Sequence, residues 1–234
     1  KNPSIPDVLE VMHRKNYDEI IVLPMFPQYA SASTGSALEE VKRVTGTWWV
    51  ILEIRYISQY YDHPLFIDAV VERGKVYNLA EYDHVLFSYH GLPERQVDKV
   101  HPNGSCADLR CEHELTEENK FCYKAVCFAT TRLITSKLGI AREKFTVCFQ
   151  SRLNKKWLKP FSDEVVASCA RKGMKNILVF SPAFTADCLE TIIEIGEEYQ
   201  DIFKANGGDK VQLVESLNDH PLWIRCLKEL VLQS

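Results

Sequence analysis

Short runs of apolar residues alternate with longer helical patterns along this chain. The apolar runs lie at residues 20–24, 48–54, 85–88, 145–149, 176–181 and 210–214. Helical patterns lie beside them at residues 5–15, 36–44, 64–76, 121–138, 162–172, 187–204 and 221–232. Continuous apolar strands that alternate with helices are typical of βαβ units, in which a parallel sheet is covered on both faces. We therefore predict an α/β fold with parallel sheets.

Composition narrows the classes of function. The chain has 234 residues, 46% of them hydrophobic and 26% charged, which is enough to bury a substantial core. The formal net charge of −4 provides no basic surface of the kind that binds nucleic acid, so we expect no nucleic-acid partner. No run reaches the 18 apolar residues of a membrane span. The sequence lacks an initial Met and an export signal, so we expect a partial or processed chain in the cytoplasm.

Two polar residues follow predicted strands at places where ligands bind in open parallel sheets, beyond the carboxyl ends of the strands. His90 ends the third apolar run, within FSYHGLP, and Glu190 follows the fifth run by one short loop. An imidazole opposite a carboxylate can bind a divalent metal and accept protons near neutral pH. The alternatives are a core histidine and a solvated acidic helix face, because Glu190, Glu194 and Glu198 are spaced four apart.

Four of the eight cysteines are clustered, with the spacing C-x4-C-x10-C-x4-C at Cys106, Cys111, Cys122 and Cys127. Four thiolates bind either an iron–sulfur cluster or zinc, and this spacing is at the limit for zinc. Cys122 and Cys127 lie on a predicted helix, so both reach one metal only if that helix bends or frays at its start. His113 is a candidate substitute ligand, and free thiols are the remaining alternative.

Several segments together resemble the ferrochelatase family, which inserts ferrous iron into a porphyrin at the last step of haem synthesis. They are FPQY (26–29), STGS (33–36), SYHGLP (88–93), FQSR (149–152), WLKP (157–160), FTADCLET (184–191) and LNDHP (217–221). The resemblance runs through almost the whole chain in the right order, which is far more specific than any one motif.

The resemblance implies two Rossmann-like domains that face each other across a porphyrin cleft. The first domain is expected to be incomplete, since the family's first stretch has no counterpart here. Residues 1–60 would be the remainder of that domain, and residues 61–212 the second domain. A cysteine-rich insertion would lie near residues 101–127. Residues 213–234 would form a C-terminal helix that returns to the first domain.

The resemblance also implies roles for individual residues. It places the catalytic histidine at His90 and the essential carboxylate at Glu190, and it makes both of them metal ligands. It implies a relay of protons or metal through Glu194 and Glu198, and porphyrin contacts from Tyr29, Ser88 and Trp157. Cys188 stands where many members carry a second histidine.

The substrates implied by the resemblance are Fe²⁺ and a porphyrin, with protoporphyrin favoured by the forms of SYHGLP and FTADCLE. A [2Fe–2S] cluster on the four clustered cysteines is also implied, with zinc as the alternative. Loose association with the inner membrane stays open. The competing functions are a chelatase for another metal or tetrapyrrole, and a non-catalytic porphyrin-binding fragment.

Overall fold

A computed structural model describes residues 2–15, 17–101 and 104–232. The strands are β1 (Glu19–Val22), β2 (Glu53–Tyr56), β3 (His84–His90), β4 (Phe145–Gln150), β5 (Asn176–Phe180) and β6 (Lys210–Leu213). The α-helices are α1 (Ile5–Arg14), α2 (Ser36–Thr45), α3 (Pro64–Lys75), α4 (Glu94–Asp98), α5 (Tyr123–Leu138), α6 (Ser162–Arg171), α7 (Leu189–Ile192), α8 (Tyr199–Ala205) and α9 (Pro221–Leu232). Two π-helical segments, Ser31–Gly35 and Glu194–Glu198, lead into α2 and α8.

The strands form two parallel sheets. The larger sheet has the order β4-β3-β5-β6, and β1 pairs with β2 in the smaller one. The central strand β3 is hydrogen-bonded to β4 on one side and to β5 on the other, with His90 opposite Gln150. The predicted α/β fold with parallel sheets is confirmed.

Helices cover both faces of the larger sheet because the side chains of β3 alternate in direction. Phe87 and Tyr89 pack into a core shared with α3 and α5, whereas Leu86 packs into a second core with α6 and α8. All three side chains are fully buried. Burial of such a side chain contributes about 1.5–3 kcal/mol, so β3 is fixed from both faces.

The smaller sheet packs against α1 and α2 through a small core of Leu9, Ile20 and Val41. The predicted strand at residues 48–54 is wrong over its first part, because β2 begins only at Glu53. Its register with β1 starts at the pair Glu19 and Glu53, so the preceding apolar residues have no strand beside them. Trp49, Val50 and Ile51 are left on the surface, whereas Trp48 and Leu52 pack against the small core.

The last helix, α9, packs against α3. Trp223 is fully buried and stacks on Tyr60, with 5.8 Å between the ring centroids. Arg55 of β2 also donates a hydrogen bond from Nη2 to the carbonyl of Val231, at 2.8 Å. The helix therefore contacts both the smaller sheet and α3, while the predicted domain boundaries stay predictions.

No helix within the described ranges has the length and apolar character needed to cross a lipid bilayer.

Candidate functional site

His90 is the last residue of β3, and its ring is half-buried at the edge of the larger sheet. Its Nδ1 lies 2.7 Å from the carbonyl oxygen of Gly91. A carbonyl oxygen only accepts hydrogen bonds, so Nδ1 carries the hydrogen and Nε2 keeps its lone pair in the neutral ring. Nε2 of His90 can therefore accept a proton or bind a metal ion.

Two cavities meet at His90. The smaller one, of about 280 Å³, lies between the loop after β1 and the loop after β5. The larger one, of about 1030 Å³, extends along α4 towards Trp157. Ala32, His90 and Leu92 border both cavities. The larger volume is at the upper end of the range for small-molecule sites, so this edge of the sheet has room for a large flat ligand.

Aromatic side chains flank the His90 ring. The ring of Trp157 has its centroid 6.5 Å away, and that of Phe184 lies at 6.2 Å. Trp157 was predicted to contact the substrate, and it lines the larger cavity. Phe184 lines the smaller cavity. It belongs to the segment FTADCLET, but no substrate contact was predicted for it. Such rings offer apolar faces to a conjugated macrocycle.

Gly91 permits the close turn that follows His90. A Cβ atom at this position would lie 2.7 Å from the carbonyl oxygen of Gln150 and 3.2 Å from Cε3 of Trp157. The backbone amide of Gly91 also donates to that Gln150 carbonyl at 2.8 Å. The turn thus needs a residue without a side chain, and it keeps the His90 ring at the edge of both cavities.

Tyr123, the first residue of α5, contacts the backbone of His90. Its hydroxyl donates a hydrogen bond to the backbone carbonyl of His90 at 3.0 Å, and its ring lines the smaller cavity. Burial raises the pKa of Tyr123 well above its ordinary value, so the hydroxyl stays a donor at neutral pH. Nothing in the sequence pattern distinguishes this tyrosine from a core residue.

Gln150 connects the strand that carries His90 to the helix that carries Glu190. Its Oε1 accepts from the Ser88 hydroxyl at 2.8 Å, and its Nε2 donates to the carbonyl of Glu190 at 2.7 Å. Because Gln150 is paired with His90 across the sheet, it lies between the two predicted catalytic residues. The sequence analysis gave this glutamine no role.

Glu194 is held by four donors. Its carboxylate accepts from the backbone amide of Ser151 at 2.9 Å, the Ser151 hydroxyl at 2.6 Å, Gln150 Nε2 at 3.2 Å and the Tyr199 hydroxyl at 3.0 Å. Both oxygens are therefore occupied. This arrangement favours a positioning role for Glu194 over the predicted relay.

Glu190 and Glu198 are both exposed. Burial and a hydrogen bond to Glu190 raise the pKa of the Cys188 thiol, so Cys188 stands beside the Glu190 carboxylate as a neutral thiol. Glu194–Glu198 is π-helical, and the predicted stripe of one regular helix is therefore interrupted between Glu190 and Glu198. Single-turn π segments are frequent at functional sites.

The two remaining predicted porphyrin contacts differ in position. Tyr29 is half-buried, and its ring meets that of Phe121 edge-on at 5.6 Å, just before α5. Ser88 is fully buried, and its hydroxyl lies 2.8 Å from that of Ser162. The Ser88 side chain therefore supports the edge of the sheet from its buried side. A direct contact between Ser88 and a substrate stays a prediction.

A group of four buried potential metal ligands lies beyond α4. His101, Cys106, Cys111 and Cys122 each place one ligand atom within 4.8 Å of the others. A hydrogen bond with Cys106 lowers the pKa of Cys122 to about 5, and the same contact raises the pKa of Cys106. The hydrogen bond between the two sulfurs therefore favours a thiolate at Cys122. This Cys/His group can bind a metal ion.

Two predicted ligands lie outside the group. Cys127 is fully buried in the main core beside Tyr123, and burial raises its pKa well above the ordinary value. His113 is on the surface, where its Nε2 lies 3.5 Å from Glu112. His101 takes the fourth place in the group, although the sequence analysis did not select it.

Comparison with solved structures places the fold among the chelatases. The chain is similar to SirB from Bacillus subtilis with Fe³⁺, with a TM-score of 0.62 and 15% identity, over 100% of this chain and 79% of that one. The sirohydrochlorin chelatase SirB from Bacillus subtilis subspecies spizizenii in complex with cobalt gives a TM-score of 0.59 at 15% identity, over 98% and 76% of the two chains. At this identity the likeness concerns the fold alone.

Sequence comparison identifies the family. A Ferrochelatase profile matches residues 1–234. The ferrochelatase of Pseudomonas putida is 37% identical over 233 residues, which are 97% of this chain and 69% of that protein. The ferrochelatase of Legionella pneumophila is 39% identical over 98% of this chain and 68% of its own length. The chain belongs to the ferrochelatase family, as the resemblance of its motifs predicted.

Proposed function

We propose that this protein inserts ferrous iron into protoporphyrin to give haem, with His90 as the base that removes a pyrrole proton. Membership of the ferrochelatase family supports iron insertion into a porphyrin. The observation that carries the assignment of His90 is its contact with Gly91, which leaves Nε2 with a lone pair at the junction of two cavities. The choice of protoporphyrin rests on the resemblance of SYHGLP and FTADCLE to the protoporphyrin enzymes of the family.

The reaction exchanges two pyrrole protons for one Fe²⁺ ion, so a base is needed beside the macrocycle. His90 Nε2 accepts one proton, and the resulting imidazolium is stabilised because Nδ1 already donates to the Gly91 carbonyl. The Glu190 carboxylate at the start of α7 is the candidate acceptor for the second proton and a candidate ligand for the incoming iron.

Binding must also bend the porphyrin, since a flat macrocycle directs its nitrogen lone pairs inward. Contact of its apolar faces with Trp157 and Phe184, whose rings both lie near that of His90, offsets a distortion on the order of 1–5 kcal/mol. Tyr29, in the loop after β1, is a further candidate contact.

The supporting residues keep these groups in place. Gln150 holds the start of α7 against β4, and Glu194 holds the turn at Ser151. Both are positioning residues in this proposal. Glu198 is exposed near the end of the π-helical segment and is the remaining candidate for a proton path to solvent.

Replacement of His90 by Ala tests the proposal. We expect the rate of iron insertion to fall by about 10²–10⁴-fold, the usual contribution of a positioned general base. Protoporphyrin binding, followed by fluorescence, should stay close to that of the unchanged protein. His84→Ala is the matched control, because His84 lies at the opposite end of β3 with its Nε2 2.9 Å from Thr146.

Turnover of His90→Ala within a few-fold of the unchanged protein would remove His90 from the mechanism. Porphyrin binding without any iron insertion by the unchanged protein would instead support the non-catalytic alternative. Faster insertion of cobalt than of iron would support a chelatase for another metal.

Loose contact of the protein with the inner membrane is a further part of the proposal, because a hydrophobic product favours it. Co-sedimentation with anionic lipid vesicles tests the membrane contact, and equal recovery with and without vesicles would contradict it.

A further inference from the structure

We propose that His101, Cys106, Cys111 and Cys122 form a closed Cys₃His site for one tetrahedral zinc ion, and that Cys127 is not a ligand. This proposal replaces the predicted [2Fe–2S] cluster on four cysteines. It concerns a site apart from His90 and does not depend on the proposed insertion chemistry.

The separations between the ligand atoms fit one ion. Cys106 Sγ lies 3.5 Å from Cys122 Sγ, and Cys111 Sγ lies 3.7 Å from His101 Nε2. A tetrahedral ion with zinc–sulfur bonds of about 2.3 Å places its sulfur ligands about 3.8 Å apart. All four ligand atoms lie within 4.8 Å of one another, so they surround a single centre.

A [2Fe–2S] cluster fits this arrangement poorly. It needs four ligands in two pairs, one pair on each iron, so ligands on different irons are separated by the cluster itself. The four atoms here are not divided into two distant pairs. The four-cysteine set expected for the cluster also does not converge, because Cys127 lies in the main core.

The phase of α5 explains the position of Cys127. Cys122 is the N-cap of this helix, and the first turn is regular, since the amide of Val126 donates to the Cys122 carbonyl at 3.0 Å. Five residues at 3.6 per turn rotate a side chain by about 140° from its starting direction. Cys127 therefore lies on another side of the helix from Cys122.

The backbone around the site holds the ligands in place. The amide of Cys106 donates to Asp98 at 2.9 Å, and the amide of Cys122 donates to the carbonyl of Asn119 at 2.8 Å. Nδ2 of Asn119 lies 3.6 Å from Cys111 Sγ, as a donor to a thiolate would. Such outer contacts are characteristic of metal centres.

Burial and ligand type together favour zinc in a structural role. All four ligands are buried, which leaves no open position for a substrate. Structural zinc sites are closed and tetrahedral, and Cys₃His is one of their usual ligand sets. The site adjoins the candidate active site, because Tyr123, which contacts His90, is the residue after Cys122.

The test compares metal content in matched variants of the full chain, purified without oxygen. We expect one zinc per chain and no acid-labile sulfide in the unchanged protein. Zinc affinity of His101→Ala should fall by more than the roughly 10–100-fold typical of losing an outer-shell partner. Cys127→Ala and the surface control His113→Ala should keep the affinity of the unchanged protein.

A spectroscopic readout separates ligand loss from unfolding. Cobalt bound to the zinc-free protein should show thiolate charge-transfer absorption, which Cys127→Ala retains in full. His101→Cys should restore binding with a fourth thiolate, even if His101→Ala does not fold.

Three outcomes would overturn the proposal. They are stoichiometric iron and sulfide in the purified protein, loss of zinc from Cys127→Ala comparable to that from His101→Ala, and no zinc binding by the unchanged protein. Because none of these measurements uses turnover, failure of this proposal is distinct from failure of the proposed insertion activity.

Discussion

Two histidines on either side of α4 show two different uses of an imidazole. His90 lies at a strand end, with Nδ1 held by a backbone carbonyl and Nε2 beside open space. His101 lies beyond α4, fully enclosed, with Nε2 beside a cysteine sulfur. Open coordination positions suit substrates, whereas closed sites suit structural metals. In the two proposals made here, the surroundings of each histidine, and not its distance from β3, decide its role.

The largest expected effect separates the two histidines. His90→Ala should lose about 10²–10⁴-fold in insertion rate, as argued above, while it keeps one zinc per chain. Zinc content and turnover measured on the same preparation check this. Loss of zinc from His90→Ala would mean that the two sites are not independent.

Removal of zinc by a chelator should lower the free energy of unfolding. Its initial effect on the rate of iron insertion should be smaller. A ligand present at 100 times its Kd stabilises the folded state by about 2.7 kcal/mol, and this amount is lost when the ion is removed. Urea unfolding with and without chelator measures the difference. Equal midpoints in the two conditions would contradict a structural metal.

Gln150→Leu should weaken the catalytic region alone. The change removes the amide that donates to the Glu190 carbonyl and to Glu194, two partly buried hydrogen bonds. We expect a loss of about 1–3 kcal/mol in the free energy of unfolding, with unchanged zinc content. Gln59→Leu is the matched control, since the hydrogen bond from the Gln59 side chain to the Lys120 carbonyl is long, at 3.4 Å. Unfolding energies that are equal for the two variants would contradict the bridging role of Gln150.

The smallest expected effect lies at Asp187, in the loop between Phe184 and Glu190. Burial raises the pKa of this carboxyl, but hydrogen bonds from Asn218 and Ser216 outweigh burial, so the pKa is below its ordinary 3.8. A lowered pKa in the folded state stabilises the protein above the unfolded value, and the contribution is lost as the pH falls through the folded pKa.

Asp187→Asn should therefore lower the free energy of unfolding by less than about 1 kcal/mol at neutral pH, because the carboxylate is partly solvated. The difference between the two proteins should shrink below pH 3.8. Urea unfolding at several pH values checks this. If the difference in the free energy of unfolding stayed constant over these pH values, the substitution would act through the shape of the side chain and not through its charge.

The positions of His90 and Glu190 in the fold were largely predictable from the sequence. Apolar strands that end in His90 and lead towards Glu190 place both residues at the carboxyl edge of a parallel sheet, whatever the details of packing. By contrast, the apolar run that begins at Trp48 led to a wrong prediction of a strand. A run of apolar residues specifies a strand only where a neighbour exists, and β1 pairs with β2 only from Glu53 onwards.

The metal group was harder to predict, because its geometry depends on turns rather than on a repeat. Four cysteines in two equal pairs suggest a symmetric site, but the start of α5 fixes the phase of Cys127 and directs it into the core. His101 stands alone in the sequence and reaches the group only through the fold of the segment after α4. Gln150 was missed for a similar reason, since its partners lie on three separate elements.

The interior position of β3 has a consequence for how such a protein can adapt. The strand is paired on both sides and buried on both faces, so the reactive nitrogen at its end has little freedom to be repositioned. Trp157 and Phe184 lie in loops outside the strands of the sheet, and the Trp157 loop is joined to the segment after β3 by a bridge between Pro93 and Trp157. Selection for a different macrocycle would therefore act on the loops, and the same fixed imidazole would serve each new substrate.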